Sequence, residues 1–410
     1  MKKTIFIDCR RVLNSGIGRV TEWFLDNVSN NIHEYNIRFL VTKETISDYK
    51  LIENECLVTD FKPMSFEELY LLPHLLIENN CDLFISPQIN VSPFQLCKTI
   101  NMLHDLWYIN NPNYLPDEEE LKTRFLCKKT SINHISGWLT AERANSLLTD
   151  YGKELWEKAK EKNNIILDYC WSQIALFSFF ASKIVCVTSY IAEDFKKVFN
   201  RHTGVISIEN SISDKWLSIS PSQSKVRRFI CLAKLEERKK ILELLDSYEI
   251  YCKKVTAPYS LIIAGDFGYE KYATKVIDRI NQINDELNQE LVTYIKSAKT
   301  NQVKSLLATS SLLVNPSEYE SFGLPTLEAM AACLPVITTN TGKMKDPIGD
   351  YATKFECGNI IQLSNLFVDF HNNESLYINK AETAKKELIK IINNDQRIFE
   401  WKTVIDSIWK

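Results

Sequence analysis

Glu320 and Glu328 are the two residues whose type and spacing most directly suggest chemistry. Seven residues separate them, within Ser317-Glu318-Tyr319-Glu320-Ser321-Phe322-Gly323-Leu324-Pro325-Thr326-Leu327-Glu328-Ala329-Met330. Gly323 permits a sharp turn and Pro325 suits the first position of a helix. The spacing therefore predicts a strand-end loop carrying Glu320 and a helix whose first turns carry Glu328. A helix start presents N–H groups without intrahelical partners, which makes it an anion site. Acids on either side of such a site suit hydroxyl groups flanking a phosphate, the layout of a nucleotide sugar.

Other candidate groups fall where strands would end. In Phe229-Ile230-Cys231-Leu232-Ala233-Lys234-Leu235-Glu236-Glu237-Arg238-Lys239-Lys240 an apolar run gives way to Lys234, Arg238 and Lys239 just before a helix. Two cations beside a helix N-terminus can neutralise a diphosphate. Taken alone, an ordinary basic surface turn is the simpler reading. His104-Asp105 closes the run from Thr99, and open α/β sheets bind ligands at strand C-termini; a packed or capping histidine is the alternative. The loop Asn14-Ser15-Gly16-Ile17-Gly18-Arg19 lacks the third glycine of a dinucleotide fingerprint, since Thr21 stands there, so a dehydrogenase is not expected. Its glycines still allow backbone N–H groups to approach a phosphate or a sugar, with a turn that binds nothing as the alternative. His33, His74, His134, His202 and His371 show no metal-ligand spacing, and no nucleophile elbow or Ser/His/Asp arrangement is apparent.

The elements that must position these groups follow from size and pattern. A chain of 410 residues exceeds one ordinary core, so two domains are expected. A net charge of −3 exerts no general pull towards nucleic acid or anionic lipid. The eleven cysteines stand singly, and Cys9, Cys186 and Cys231 lie in apolar runs, a pattern of a reducing compartment rather than a disulfide scaffold. The N-terminus reaches Asp8 too soon for a signal peptide, and no apolar run attains the ~18 residues of a spanning helix. A cytoplasmic protein is the expectation.

Strand and helix patterns alternate, which predicts α/β architecture with parallel sheets. Strands are expected at Thr4–Cys9, Ile37–Thr42, Asp82–Pro87, Thr99–His104, Lys183–Ser189 and Val205–Glu209, with helices at Arg19–Asn27 and Ser65–Asn80. Asp214–Arg228 reads as a polar linker with turn chemistry. Beyond it, strands are expected at Phe229–Ala233, Ser260–Ala264, Leu291–Ile295, Ser311–Val314 and Pro335–Thr339, and helices at Lys239–Lys254, Val303–Ala308, Pro325–Cys333 and Phe399–Trp409. Leu121–Tyr169 is helical in tendency and rich in aromatic residues and lysine. Its Lys122–Lys129 segment mixes basic and apolar groups; a solvated helix face is the simpler reading and a membrane-surface contact the other.

Together these motifs resemble glycosyltransferase family 4, a retaining family with the GT-B fold, and within it bacterial polysaccharide mannosyl- and glucosyltransferases. The resemblance rests on Glu320 to Glu328 with Phe322-Gly323-Leu324-Pro325 between them, and on Leu235-Glu236-Glu237-Arg238-Lys239. It extends to Asp82–Pro87, His104-Asp105-Leu106, Gly16-Ile17-Gly18-Arg19, Val187-Thr188-Ser189 and Trp401. It implies two Rossmann-like domains with a deep interdomain cleft: residues 1–215, joined by a C-terminal helix near 398–410, and residues 216–397. It implies that Glu328 binds the nucleotide ribose, Glu320 the donor-sugar hydroxyls, and the backbone of Phe322, Gly323 and Leu324 the sugar and phosphates. Arg238 and Lys239 would stabilise the departing diphosphate, Gly16 would approach the phosphates, and His104 would contact the donor sugar. Ser321, Ala233, Cys333 and Ser211 stand where the family usually has glycine. Ser321 borders the donor sugar, and the other three are tolerable where φ is negative.

The implied reaction is transfer of a hexose from a nucleotide-diphosphate sugar to a glycan or lipid-linked glycan. No metal and no other cofactor are required, and nucleic acid is not a partner. The implied setting is surface polysaccharide synthesis in the cytoplasm, or at its membrane face if Lys122–Lys129 makes that contact. A catalytically silent GT-B scaffold subunit is the rival reading, and its mark would be loss of Glu320, Glu328 or Lys239, all of which are present.

Overall fold

The computed structural model describes residues 2–11, 15–61, 65–114, 135–222, 225–341, 351–392 and 394–410. The Lys122–Lys129 segment, His134 and Asn14 lie outside them. The chain forms two compact units, Met1–Ser211 with Asn394–Lys410, and Ile212–Asn393. The changeovers fall a few residues before the expected 215 and 398.

Among the described residues of the first unit seven strands pair in the order β3-β2-β1-β4-β5-β6-β7. They are β1 Thr4–Asp8, β2 Asn36–Val41, β3 Cys56–Val58, β4 Leu83–Ser86, β5 Lys98–Leu103, β6 Lys183–Cys186 and β7 Val205–Ser207. Every pairing is parallel. Residues of β1 and β4 are buried without alternation, as expected when helices cover both faces of a parallel sheet. The helical stretch expected over Ser65–Asn80 is two helices, Phe66–Tyr70 and Leu72–Glu78. Pro73 explains the break, because it has no N–H for the preceding turn and sits in the first turn of the second helix. The described part of Leu121–Tyr169 is helical, at Ala141–Leu147, Asp150–Glu161 and the start of Ile165–Phe180. The C-terminal helix Asn394–Asp406 packs onto this unit. Trp401 meets Phe24 edge-on at 4.8 Å, and Asn394 Oδ1 accepts from Trp23 Nε1 at 3.1 Å.

Among the described residues of the second unit six parallel strands run in the order β10-β9-β8-β11-β12-β13. They are β8 Arg228–Leu232, β9 Ser260–Gly265, β10 Val292–Lys296, β11 Leu312–Asn315, β12 Val336–Thr339 and β13 Thr353–Phe355. Successive strand residues enter opposite cores. Phe229 and Cys231 pack with Leu244, Tyr248 and Phe367 on one face, while Ile230 packs with Leu327, Met330 and Leu334 on the other. The expected linker over Asp214–Arg228 is not wholly a linker. Asp214–Leu217 is a short helix, and Trp216 is buried in the second core, because one large apolar side chain outweighs the turn chemistry around it. The helices Glu270–Leu287 and Ile360–Ile391 and the edge strands β3 and β13 carried no expectation.

Of the four residues that the resemblance sets at usual glycine positions, Cys333 has φ 54 and so departs from the expected negative φ, whereas Ala233, Ser211 and Ser321 are not among the residues with positive φ. Cys333 follows the helix Leu324–Ala331 and closes a Schellman turn. Its N–H donates to Met330 O at 3.0 Å, and Leu334 N–H donates to Ala329 O at 2.9 Å. A side chain in this conformation costs roughly 1–2 kcal/mol, part of which glycine loses again in chain entropy. Cys333→Gly should therefore stabilise the protein by about 1 kcal/mol, a rise of about 2–4 °C in Tm. Cys333→Ala, which retains the strain, should show no such rise in the same melting experiment.

Candidate functional site

The strand order of the second unit reverses between β8 and β11, and ligands bind open α/β sheets at such points, beyond the strand C-termini. The loop after β8 carries Arg238 and Lys239 in a short 3-10 turn, Glu237–Lys239, and Lys240 is the left-handed cap of the helix Ile241–Cys252. The loop after β11 carries Glu320. Because the two strands are neighbours, residues 81 positions apart meet, and Lys239 Nζ lies 2.6 Å from Glu320 Oε1. Both side chains are about nine-tenths buried. Arg238 Nε donates to Glu236 Oε2 at 3.1 Å and its Nη1 to Tyr319 O at 3.3 Å. Lys240 Nζ is 3.2 Å from Glu318 Oε2.

These contacts alter the separate jobs that the motifs suggest. Lys239 and Glu320 form one ion pair, and Arg238 is braced by Glu236, which carries no role in the motif reading. Burial raises the Glu320 carboxyl, but Lys239 and then Arg238 outweigh it and hold the group below the ordinary carboxylate value. Burial depresses Lys239, with Glu320 opposing that shift and Arg238 adding to it. Glu320 is ionised at neutral pH, because its carboxylate has two cations as neighbours.

Gly323 has φ 75 and caps the helix Leu324–Ala331 without a side-chain bond to its first turn. Pro325 is the second helical residue rather than the first, since Leu324 opens the helix. Phe322 buries its ring in the core below, so any ligand contact there falls to its backbone. Glu328 is buried one turn into the helix. Asn315 at the end of β11 ties the loop together: its Oδ1 accepts from Ser317 Oγ at 2.7 Å and its Nδ2 donates to Thr326 Oγ1 at 3.3 Å. Ser317 O in turn accepts from Thr339 Oγ1 at 2.5 Å. Gly265 and Gly268 admit the first loop closely, since a Cβ would lie 2.1 Å from Ala233 O and 1.9 Å from Glu236 Cγ. Nothing in the one-dimensional pattern distinguishes these supporting residues.

In the first unit the strand order reverses between β1 and β4. His104 follows β5, and its Nε2 lies 2.7 Å from Pro87 O. A carbonyl only accepts, so Nε2 carries the proton. Burial, partly offset by that bond, lowers the ring's pKa and keeps it neutral. Gly16 opens the helix Gly16–Asn27, where Ser15 Oγ accepts from Gly18 N–H at 2.9 Å, and a Cβ on Gly16 would meet nothing within 4 Å. Tyr49 Oη donates to Arg11 O at 2.6 Å and lies 3.2 Å from Gly18 O, fastening this loop. A buried cluster of Asp8, Arg10 and Glu68, which the motif reading passes over, lies at the same end of the sheet.

Residues 213–387 match the family model for glycosyl transferases group 1. O-antigen chain mannosyltransferase B of Escherichia coli is 25% identical over 182 residues, 42% of this chain and 46% of that protein. N-acetyl-alpha-D-glucosaminyl L-malate synthase of Bacillus anthracis is 32% identical over 108 residues, 26% of this chain and 28% of that protein. The chain thus spans less than half the length of these relatives. The crystal structure of HepE from Anabaena with UDP and glucose superposes with a TM-score of 0.67 at 14% identity, covering 99% of this chain and 100% of that one. The fold is GT-B, and the match to the group 1 model lies within the second unit. The chain is thus similar to glycosyltransferases in its fold and over its second unit.

Ionisation of the Lys239–Glu320 pair is testable through stability. A carboxylate with a depressed folded pKa stabilises the protein above its unfolded value, here near 4.5, and loses that contribution as pH falls through the folded value. Glu320→Gln leaves Lys239 buried opposite a neutral group and should cost about 3–5 kcal/mol at pH 7. In urea unfolding the difference from wild type should narrow below about pH 4.5. A constant difference down to the lowest pH at which both fold would mean that the pair is not ionised.

Proposed function

We propose that this protein is a retaining glycosyltransferase that moves a hexose from a nucleotide-diphosphate sugar to a glycan or lipid-linked glycan acceptor in surface polysaccharide synthesis. The observation that carries the reading is the convergence of Arg238, Lys239, Glu320 and the Gly323-capped start of the helix bearing Glu328 at one strand-order reversal. The names of the relatives support its finer terms. The Escherichia coli protein is an O-antigen chain mannosyltransferase, and the Anabaena structure contains UDP and glucose.

Glu328 accepts hydrogen bonds from the ribose hydroxyls, and Glu320 holds hydroxyls of the sugar. As the bond from the sugar's anomeric carbon to the diphosphate oxygen breaks, the electron pair leaves with the diphosphate. Arg238, Lys239 and the first N–H groups of the helix meet that charge in place before it develops. The acceptor hydroxyl attacks the anomeric carbon from the face the diphosphate leaves, and its proton passes to a leaving phosphate oxygen. Because protein cations take up the leaving charge, the reading assigns no metal. Lys239 reaches the reaction already bound to Glu320, so donor binding divides one ammonium between a carboxylate and a diphosphate. That sharing couples sugar placement to leaving-group stabilisation.

Calorimetric titration with UDP-, GDP-, ADP- and dTDP-sugars tests the reading. At least one should bind the wild-type protein, and Glu328→Ala should weaken that ligand about 10–100-fold, the loss of a charge-assisted hydrogen bond. Binding by none of them, or unchanged affinity in the variant, would sink the nucleotide assignment. Lys239→Ala should lower kcat about 10²–10³-fold, with a smaller effect on donor affinity. Wild-type turnover in that variant would remove Lys239 from the mechanism.

A further inference from the structure

Asp8, Arg10 and Glu68 are buried groups that the proposed reaction does not use. The side chains of Asp8 and Arg10 have no exposure and that of Glu68 has 8%. A buried ion cluster seldom adds stability over apolar side chains of similar volume. This one lies at the C-terminal end of β1, the edge at which open α/β sheets bind ligands, and it leads by hydrogen bonds to a candidate site residue.

Arg10 is held on three sides. Its Nε and Nη2 donate to the two oxygens of Asp8, each at 2.8 Å, Nη2 also bonds Glu68, and Nη1 donates to Phe61 O at 3.2 Å. Burial raises the Asp8 carboxyl, and Arg10 more than reverses it, so the acid is ionised. Its Oδ2 accepts from Ser86 Oγ at 3.2 Å and from Gln88 Nε2 at 3.3 Å. The side chains on both sides of Pro87 are therefore anchored to one carboxylate. Asn101 Nδ2 adds bonds to Gln88 O at 3.1 Å and Asn90 O at 2.7 Å. Pro87 O, between these anchors, receives His104 Nε2–H, and Gln88 Oε1 accepts from Arg11 Nε at 2.7 Å.

We propose that Asp8, Arg10 and Glu68 form a positioning unit that holds Ser86–Gln88 rigid and thereby sets the tautomer and plane of the His104 ring, with Arg11 fixed through Gln88. The functional half of this inference rests on the reading that His104 serves a bound donor sugar. The structural half does not. An imidazole locked with Nε2–H against a fixed carbonyl presents Nδ1 as an acceptor with one orientation, which suits a sugar hydroxyl and suits an anion poorly. Arg10 and Asp8 touch no reacting atom in this scheme; they act through the backbone of Pro87.

The test reads the ring directly. Long-range ¹⁵N–¹H spectra of the ¹⁵N-labelled protein, with His104→Gln to assign the signals, should show His104 as a single Nε2–H tautomer. Asp8→Asn, and separately the double variant Ser86→Ala with Gln88→Leu, should give a tautomer mixture. They should also lower kcat about tenfold and leave the other histidine signals in place. The double variant leaves the ion cluster intact and serves if Asp8→Asn does not fold. A pure Nε2–H signal in either folded variant overturns the proposal. A tautomer mixture in a protein whose wild type transfers no sugar upholds the positioning unit and sinks the transferase reading instead.

Discussion

The parallel pairing of β8 with β11 is the constraint on which the candidate site depends. Parallel neighbours direct both following loops to the same sheet edge, and the reversal of strand order there leaves the crevice between them uncovered by a connecting helix. Lys239 and Glu320 come together for that reason alone. Their pairing then makes the burial of each tolerable, because a lone ammonium or carboxylate in the same place would have to neutralise.

Cations at a helix N-terminus run against the helix dipole, which favours negative charge there. Arg238, Lys239 and Lys240 nevertheless precede the helix Ile241–Cys252, each braced by an acid: Glu236, Glu320 and Glu318. The dipole does not account for such an arrangement, and the three acid partners offset its cost. The acids hold the cations in place, and the glycines at 265 and 268 let the neighbouring loop approach closely enough to support them.

The two units share a topology and use their reversal points differently. The first neutralises its own buried charges in the Asp8, Arg10 and Glu68 cluster, whereas the second keeps three cations at a helix start. A self-satisfied network makes a stiff frame for neutral hydrogen-bonding groups such as the His104 ring. A loop of braced cations makes an anion site.

Much of this was legible in order along the chain. Apolar runs marked strands such as β1, β4 and β8, since residues buried on both sheet faces are mostly apolar, and the Glu320–Glu328 spacing around Gly323 marked a loop and a helix start. Short edge strands such as β3 and β13 lacked that signal, because an edge buries too little to require a continuous run, and Trp216 hid a helix inside apparently polar sequence. Residue types and spacing raised Lys239, Glu320 and His104 as candidates beside the simpler readings of a basic surface turn and a packed histidine, and the family resemblance implied their roles. Tertiary structure alone decided that Lys239 belongs to Glu320, that Arg238 leans on Glu236, and that Asp8 reaches His104 through Pro87. A sequence records periodicity and local turn chemistry, which depend on neighbours a few residues away. Ion pairs between strand-end loops depend on which strands lie side by side, and that is settled only when the sheet assembles.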